Sequence, residues 1–202
     1  MPVIGVGGGI ASGKTTLCKL FEKWGAHIID ADLIGKEVVE RNPRLLHELT
    51  SAFGDDILNE DGSLNRRKLG TIVFQDPQAR EKLNRTVHPP LLAELTEQVN
   101  EWRKKNPMAI IVVDAALLLE WELNSLLDTL IVVEADEKTR LKRLINSAGL
   151  SPEEARARIT AQSGFKAKSR LADHVITNDS SFEDLENQAK KTWKHFVAEQ
   201  DN

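Results

Sequence analysis

Val3-Ile4-Gly5-Val6-Gly7-Gly8-Gly9-Ile10-Ala11-Ser12-Gly13-Lys14-Thr15-Thr16 decides how the rest of the chain is read. A short valine- and isoleucine-rich run predicts a buried strand over Val3–Val6, and a helical pattern follows from Lys14 to Trp24. Between them, Gly8 to Thr15 satisfies GxxxxGK(S/T) in the setting that gives this motif its specificity, a loop leaving a strand and opening a helix. Glycines let the backbone curl with its N–H groups inward, and the helix adds its positive N-terminal end, so the pattern predicts a polyphosphate cradle. The residues expected to line it are Gly9, Ile10, Ala11, Ser12, Gly13, Lys14, Thr15 and Thr16. Lys14 should reach the β and γ phosphates and the Thr15 hydroxyl should coordinate Mg²⁺. A glycine-rich turn that binds nothing is the weaker alternative.

Outward from this loop, further apolar runs predict strands at His27–Ile29, Ala109–Val113, Thr129–Val133 and His174–Ile176. Helical patterns cover Glu137 to Ser147, Pro152 to Gln162 and Ser181 to Ala198. Strands alternating with helices indicate an α/β protein with a five-stranded parallel sheet. About eighty residues separate the second and third strands, far more than one crossover helix needs. That stretch carries turn signals at Asn42-Pro43, Gly54-Asp55-Asp56 and Asp61-Gly62-Ser63 and predicts an inserted helical lobe. The fourth and fifth strands are also widely spaced, which predicts a lid.

Two further places carry carboxylates at predicted strand ends, where ligands sit in open parallel sheets. Asp30-Ala31-Asp32 follows the second strand. If the chain stays extended there, Asp30 and Asp32 share one face, although one of them could cap a helix beginning near Leu33. Asp114 ends Ile110-Ile111-Val112-Val113, the pattern of a carboxylate that holds a metal or its waters.

Composition bounds the remaining choices. The chain has 202 residues, 41% hydrophobic and 29% charged, enough for one domain with a continuous core. Its lone cysteine, Cys18, excludes an internal disulfide or a thiolate metal site, and no apolar run is long enough to span a membrane. A reduced, cytoplasmic protein without a membrane partner is expected. The net charge is −4, yet residues 138–170 hold nine basic and two acidic side chains. Such a surplus predicts a local anionic partner, with a solvated helix face as the alternative.

These residues together resemble the dephospho-coenzyme A kinase family. The resemblance runs through the loop at Gly8 to Lys14, Asp30-Ala31-Asp32, Phe53-Gly54, Asp61-Gly62, Arg67 to Leu69, Val73-Phe74, His88-Pro89, Asp114 with Leu117, Leu118 and Glu120, Arg158-Ile159 with Gln162, and Ala172-Asp173 with Val175, Ile176 and Asn178. It implies a P-loop kinase fold: a sheet core (1–33, 108–137 and 171–202), a helical acceptor lobe (34–107) and a helical lid (138–170). It also implies transfer of the γ-phosphoryl of ATP to the ribose 3′-hydroxyl of dephospho-coenzyme A. Asp32 would be the general base and Asp30, His88 and Glu120 would face the acceptor. Thr15 and Asp114 would serve the metal, and the basic segment would close over the phosphates.

Departures from the family pattern shape the expectations. Ala11 replaces a usual glycine, which is tolerated if its φ is negative. Ala116 and Leu119 replace a proline and a phenylalanine. Ser147 and Ala148 stand where an Arg-Asp pair is common, so the lid cation must come from Arg143, Arg140 or Lys168; Arg143 matches a family basic position and is the first choice. His88 precedes Pro89-Pro90 and is expected in an extended turn. Trp24, Trp102, Trp121 and Trp193 are too dispersed for a stacking platform and Cys18 should be a small buried group.

Alternative readings are a kinase of another small acceptor such as a nucleoside monophosphate, a nucleotide-dependent switch, or an RNA-binding module. Phe165 is the lone aromatic of the basic segment, which argues against nucleic acid. The residues give no firm oligomeric state, and a monomer or weak homo-oligomer is expected.

Overall fold

A computed structural model describes residues 2–115, 126–162 and 169–198. Five strands, β1 (Val3–Gly8), β2 (His27–Asp30), β3 (Ile111–Asp114), β4 (Thr129–Glu134) and β5 (His174–Thr177), form one sheet in the order β2-β3-β1-β4-β5. All pairs are parallel. The helices are α1 (Lys14–Lys23), α2 (Ala31–Arg41), α3 (Pro43–Phe53), α4 (Arg66–Gln75), α5 (Pro77–Lys105), α6 (Glu137–Ala148), α7 (Pro152–Thr160) and α8 (Phe182–Ala198). The chain divides into two compact units, residues 1–30 with 99–202 and residues 31–98.

In the first unit, the inner strands are apolar on both faces. Val3, Ile4, Val6, Val112 and Val113 are buried, as are Ile131, Val132 and Val133. This is why these strands appear in the sequence as unbroken apolar runs rather than alternations. At the edge, β5 alternates: Ile176 is 2% exposed and its neighbour Val175 49%. Leu17, Cys18, Leu20 and Phe21 of α1 and Leu185, Ala189 and Phe196 of α8 complete one core layer over the sheet. Phe21, Trp24 and Trp193 cluster at its rim, and Trp102 stacks on His27, so the three described tryptophans are packing residues.

The strands agree with expectation except at their ends. β1 runs on through Gly7 and Gly8, because β4 offers Val132 and Val133 as ladder partners there. The helix after β2 starts at Ala31, not near Leu33, so Asp30 and Asp32 do not sit on one extended segment. A carboxylate in a first helical turn meets the positive end of the helix, which favours starting early enough to include Asp32.

In the second unit, Val39, Leu45, Leu49, Ile57 and Leu69 form a separate core, with Leu83 and Val87 packed against it. The turn signals serve as helix boundaries. The Asn42 side chain caps α3 with Pro43 in the first turn, and Asn65 caps α4. Gly54, at φ +85°, breaks α3 and leads into a single 3₁₀ turn over Asp55–Ile57.

His88 is not in an extended turn. It lies inside α5, which continues through Pro89 and Pro90. The reason is the spacing of apolar residues: Ala79, Leu83, Val87, Leu91, Leu95 and Val99 recur every fourth position across the proline pair. Leu91, Leu95 and Val99 of this stripe are fully buried and Ala79 nearly so. Burying it outweighs two missing N–H donors, which leave the Arg85 and Thr86 carbonyls without their helical partners. Restoring one donor by Pro90→Ala is therefore expected to stabilise the protein by about 1 kcal/mol after the unfolded-state entropy of alanine is allowed for. Thermal unfolding should show a Tm increase of about 2–4 °C; a decrease would mean that the bend itself is needed for packing.

Candidate active site

The loop leaves the centre of the sheet at Gly8. Strand register places the ends of β1, β2 and β3 side by side, with Asp30 opposite Asp114 and Val6 beside Asp114. The loop lines a cavity of about 770 Å³ together with Arg143, Ser147, Gln162, Asn178 and Phe182.

Gly13 fixes the loop's exit. Its φ is +104°, and a Cβ there would lie 2.0 Å from Asn178 Nδ2. The space is taken because Asn178, 6% exposed, donates to the Ser12 carbonyl at 2.7 Å. Arg143 donates to the Ala11 and Ser12 carbonyls, both at 3.2 Å, and to the Asn178 carbonyl at 2.9 Å. Arg140 Nε donates to the Ile10 carbonyl at 2.9 Å. Three successive carbonyls are thus drawn to side chains. In a planar trans peptide the next N–H points the opposite way, so the Ala11 and Gly13 amides turn away from these side chains, as an anion cradle requires, while the Ser12 N–H donates to the Gly9 carbonyl at 3.0 Å and closes the turn.

Lys14 forms an ion pair with Asp114, each side chain 15% exposed. Thr15 is exposed at the cavity and Thr16 half-buried. Beneath them Cys18 is 3% exposed, and burial, reinforced by the Asp114 carboxylate, pushes its thiol far above the ordinary range. Burial also draws the Arg140 guanidinium below its ordinary pKa, though it stays charged.

The structure therefore brings together Gly9 to Thr16, Asp114, Arg143 and, by register, Asp30. Asp32 and His88 belong to the second unit. Asp32 is half-buried on the first turn of α2, and the His88 Nε2 is buried without a hydrogen-bond partner among the described residues. Glu120 lies outside the described residues, as do Ala116, Leu119, Trp121, Phe165 and Lys168. Arg140, Gln162 and Asn178 hold the loop from sequence distances above 120, which no local pattern reveals.

Ala11 departs from the condition set for it: its φ is +59°. The left-handed region costs an L-residue about 1–2 kcal/mol. Its methyl packs with Ile10 against Leu144, Ala155 and Ile159, which ties the loop to α6 and α7.

A glycine loop between a central parallel strand and a helix, with its lysine on a strand-end aspartate, defines a P-loop nucleotide-binding protein. The family model described as dephospho-CoA kinase matches residues 2–184. A Bacillus cereus dephospho-CoA kinase is 40% identical over 194 residues, covering 96% of each chain. Among solved structures, a Thermus thermophilus protein matches with a TM-score of 0.78 at 30% identity, covering 96% of this chain and 97% of that one. A dephospho-CoA kinase from Campylobacter jejuni matches with a TM-score of 0.70 at 28% identity, covering 97% of each. The chain belongs to the dephospho-CoA kinase family.

Two expectations follow from the local geometry. Ala11→Gly relieves strain but loses methyl packing and gains unfolded-state entropy, so its stability should stay within about 0.5 kcal/mol of the parent. Ala11→Val places a β-branched residue at positive φ and should lower Tm by about 5 °C, from a cost of about 2 kcal/mol. Equal Tm values for the two variants in calorimetry would show that the backbone at Ala11 is unstrained. The Cys18 thiol should stay protonated and unreactive toward an aromatic disulfide reagent at pH 8 in the folded protein, and react once denaturant unfolds it.

Proposed function

We propose that the chain transfers the γ-phosphoryl group of ATP to the 3′-hydroxyl of dephospho-coenzyme A, giving coenzyme A and ADP. The observation that carries the site is the loop from Gly8 to Thr16, its carbonyls drawn aside by Arg140, Arg143 and Asn178 and its lysine paired with Asp114. Such a loop receives polyphosphate on fixed amide dipoles, which costs little reorganisation at the moment of transfer.

Mg²⁺ fits the donor set. The Thr15 hydroxyl and the Asp114 carboxylate are hard oxygen ligands, and Asp114 already carries a cation, the Lys14 ammonium. Mg²⁺ would keep water and phosphate oxygens as its remaining ligands. When bound, it would offset charge on the β and γ oxygens.

Lys14 follows the phosphate charge; Arg143, expected as the lid cation, has its guanidinium on the Ala11, Ser12 and Asn178 carbonyls and is assigned as a positioning residue for the loop. Asp32 is assigned as the general base that orients the acceptor hydroxyl and takes its proton, in keeping with its place two residues beyond Asp30 at the end of β2. Asp30 and His88 are assigned to the acceptor. No helix among the described residues is long and apolar enough to cross a membrane. One buried thiol is compatible with a reducing compartment, and the cytoplasm is the location we assign.

The test is ADP formation from Mg-ATP with dephospho-coenzyme A, AMP, CMP or UMP as acceptor. Turnover is expected with dephospho-coenzyme A alone, and turnover with a monophosphate instead would assign the protein to the nucleotide kinases. Lys14→Ala should abolish transfer. Asp32→Asn should bind both substrates and lose turnover by about 10²–10⁴-fold; an unchanged rate would remove Asp32 from the mechanism.

A further inference from the structure

Gln162 closes the turn after α7, and its side chain reaches the loop. Its Oε1 accepts from the Ile10 N–H at 2.6 Å, and the residue lines the same cavity as Lys14 and Thr15. An N–H must face an acceptor, so this bond fixes which end of the amide is which and turns the Nε2 group away from Ile10. No hydrogen bond of Nε2 exists among the described residues. Ile10 is held at both backbone atoms, its carbonyl by Arg140 and its N–H by Gln162. It follows Gly9, where a methyl group would sit 3.2 Å from the Arg140 guanidinium, so that side chain lies close against this side of the loop. The segment carrying Gln162 is fixed in turn: Ala155 and Ile159 of α7 pack with Leu144 of α6, and Ile10 and Ala11 pack against them.

We propose that Gln162 is a further catalytic residue, anchored by Oε1 on the Ile10 N–H and donating Nε2 to an oxygen of the γ-phosphoryl group as it moves. This rests on the reading that the loop holds the phosphates of ATP. During transfer the bond from the bridging oxygen to Pγ breaks and the acceptor's 3′-oxygen bonds to Pγ. The hydroxyl proton goes to Asp32, and ADP leaves with the electron pair of the broken bond. Gln162 gives up no proton; it supplies a neutral donor whose hydrogen bond strengthens as charge spreads over the equatorial oxygens.

A primary amide suits both tasks. Oε1 serves a backbone N–H and Nε2 serves an anion. Glutamate has the same length and would keep the first bond, but its second oxygen would present negative charge to the phosphate. Asparagine is one methylene too short to do both. Gln162→Glu therefore separates a catalytic donor from a brace for the loop, because the brace survives and the donor does not.

The experiment compares the parent with Gln162→Glu and Gln162→Ala for ADP binding, binding of a non-hydrolysable ATP analogue, kcat and Tm. Gln162→Glu is expected to keep Tm and ADP affinity, to bind the analogue about tenfold more weakly and to lose about 10²-fold in kcat, the size seen when one donor to a developing oxyanion is removed. Its activity relative to the parent should recover as pH falls, because a protonated carboxyl donates as the amide does. Gln162→Ala should lose kcat to a similar degree without recovery at low pH. A Gln162→Glu protein with parental kcat, or one that loses ADP and analogue affinity equally, overturns the proposal. The underlying loop reading fails separately, if Lys14→Ala retains ADP binding and turnover.

Discussion

The Asn178 amide occupies the space that any side chain at Gly13 would need, and the site depends on that contact. A Cβ at position 13 cannot coexist with the bond from Asn178 to the Ser12 carbonyl. With glycine there, the chain turns at positive φ straight into α1, and the first helical amides bond back to the Gly13 carbonyl. The loop is thereby tied to β5 through the residue that follows that strand, as well as to β1, from which it departs. A polyphosphate cradle hung from one strand would have two free dihedrals per residue; hung from two strands and a helix, it has few states to lose on binding.

Side chains from α6 and the end of α7 extend the same restraint. Arg140, Arg143 and Gln162 hold three consecutive residues from outside the loop's own sequence. One of those residues, Ala11, has left-handed backbone, and strain of this kind persists only where the surroundings over-determine it. The carbonyl bond to Arg143 and the methyl packing against the α6–α7 cluster are what over-determine it. A displacement of these two helices is thus mechanically a displacement of the loop.

The sheet and the cradle were legible in the sequence because their signals are local. A strand of β-branched residues, a glycine-spaced loop and a lysine one residue into a helix need no distant partner to be recognised, and Asp114 stands out as the first carboxylate after an apolar run. What was illegible is governed by tertiary contact. Proline chemistry predicts a turn at His88, whereas the fourfold spacing of Leu83, Val87, Leu91 and Leu95 carries the helix through it. The positive φ of Ala11 likewise reflects contacts from outside its own neighbourhood. The roles of Arg140 and Asn178 could not be read at all, since a side chain bonding to a carbonyl more than a hundred residues away leaves no periodicity behind.

The uneven charge of the chain takes on a different meaning once these bonds are seen. Nine basic side chains between residues 138 and 170 suggested either an anionic partner or a solvated face. Among the described residues Arg140 and Arg143 form no ion pair with a carboxylate; Arg140 gives its Nε to the Ile10 carbonyl, and Arg143 divides its donors between the Ala11, Ser12 and Asn178 carbonyls. A cation bonded to the outside of a peptide group polarises it and strengthens the N–H dipole on the inside. The two arginines therefore add positive potential to the loop through its backbone, and Arg143 does so from the wall of the cavity itself. Lysine would be a poorer choice in either position, because its single charged nitrogen does not offer the planar, several-donor fork with which Arg143 meets three carbonyls at once.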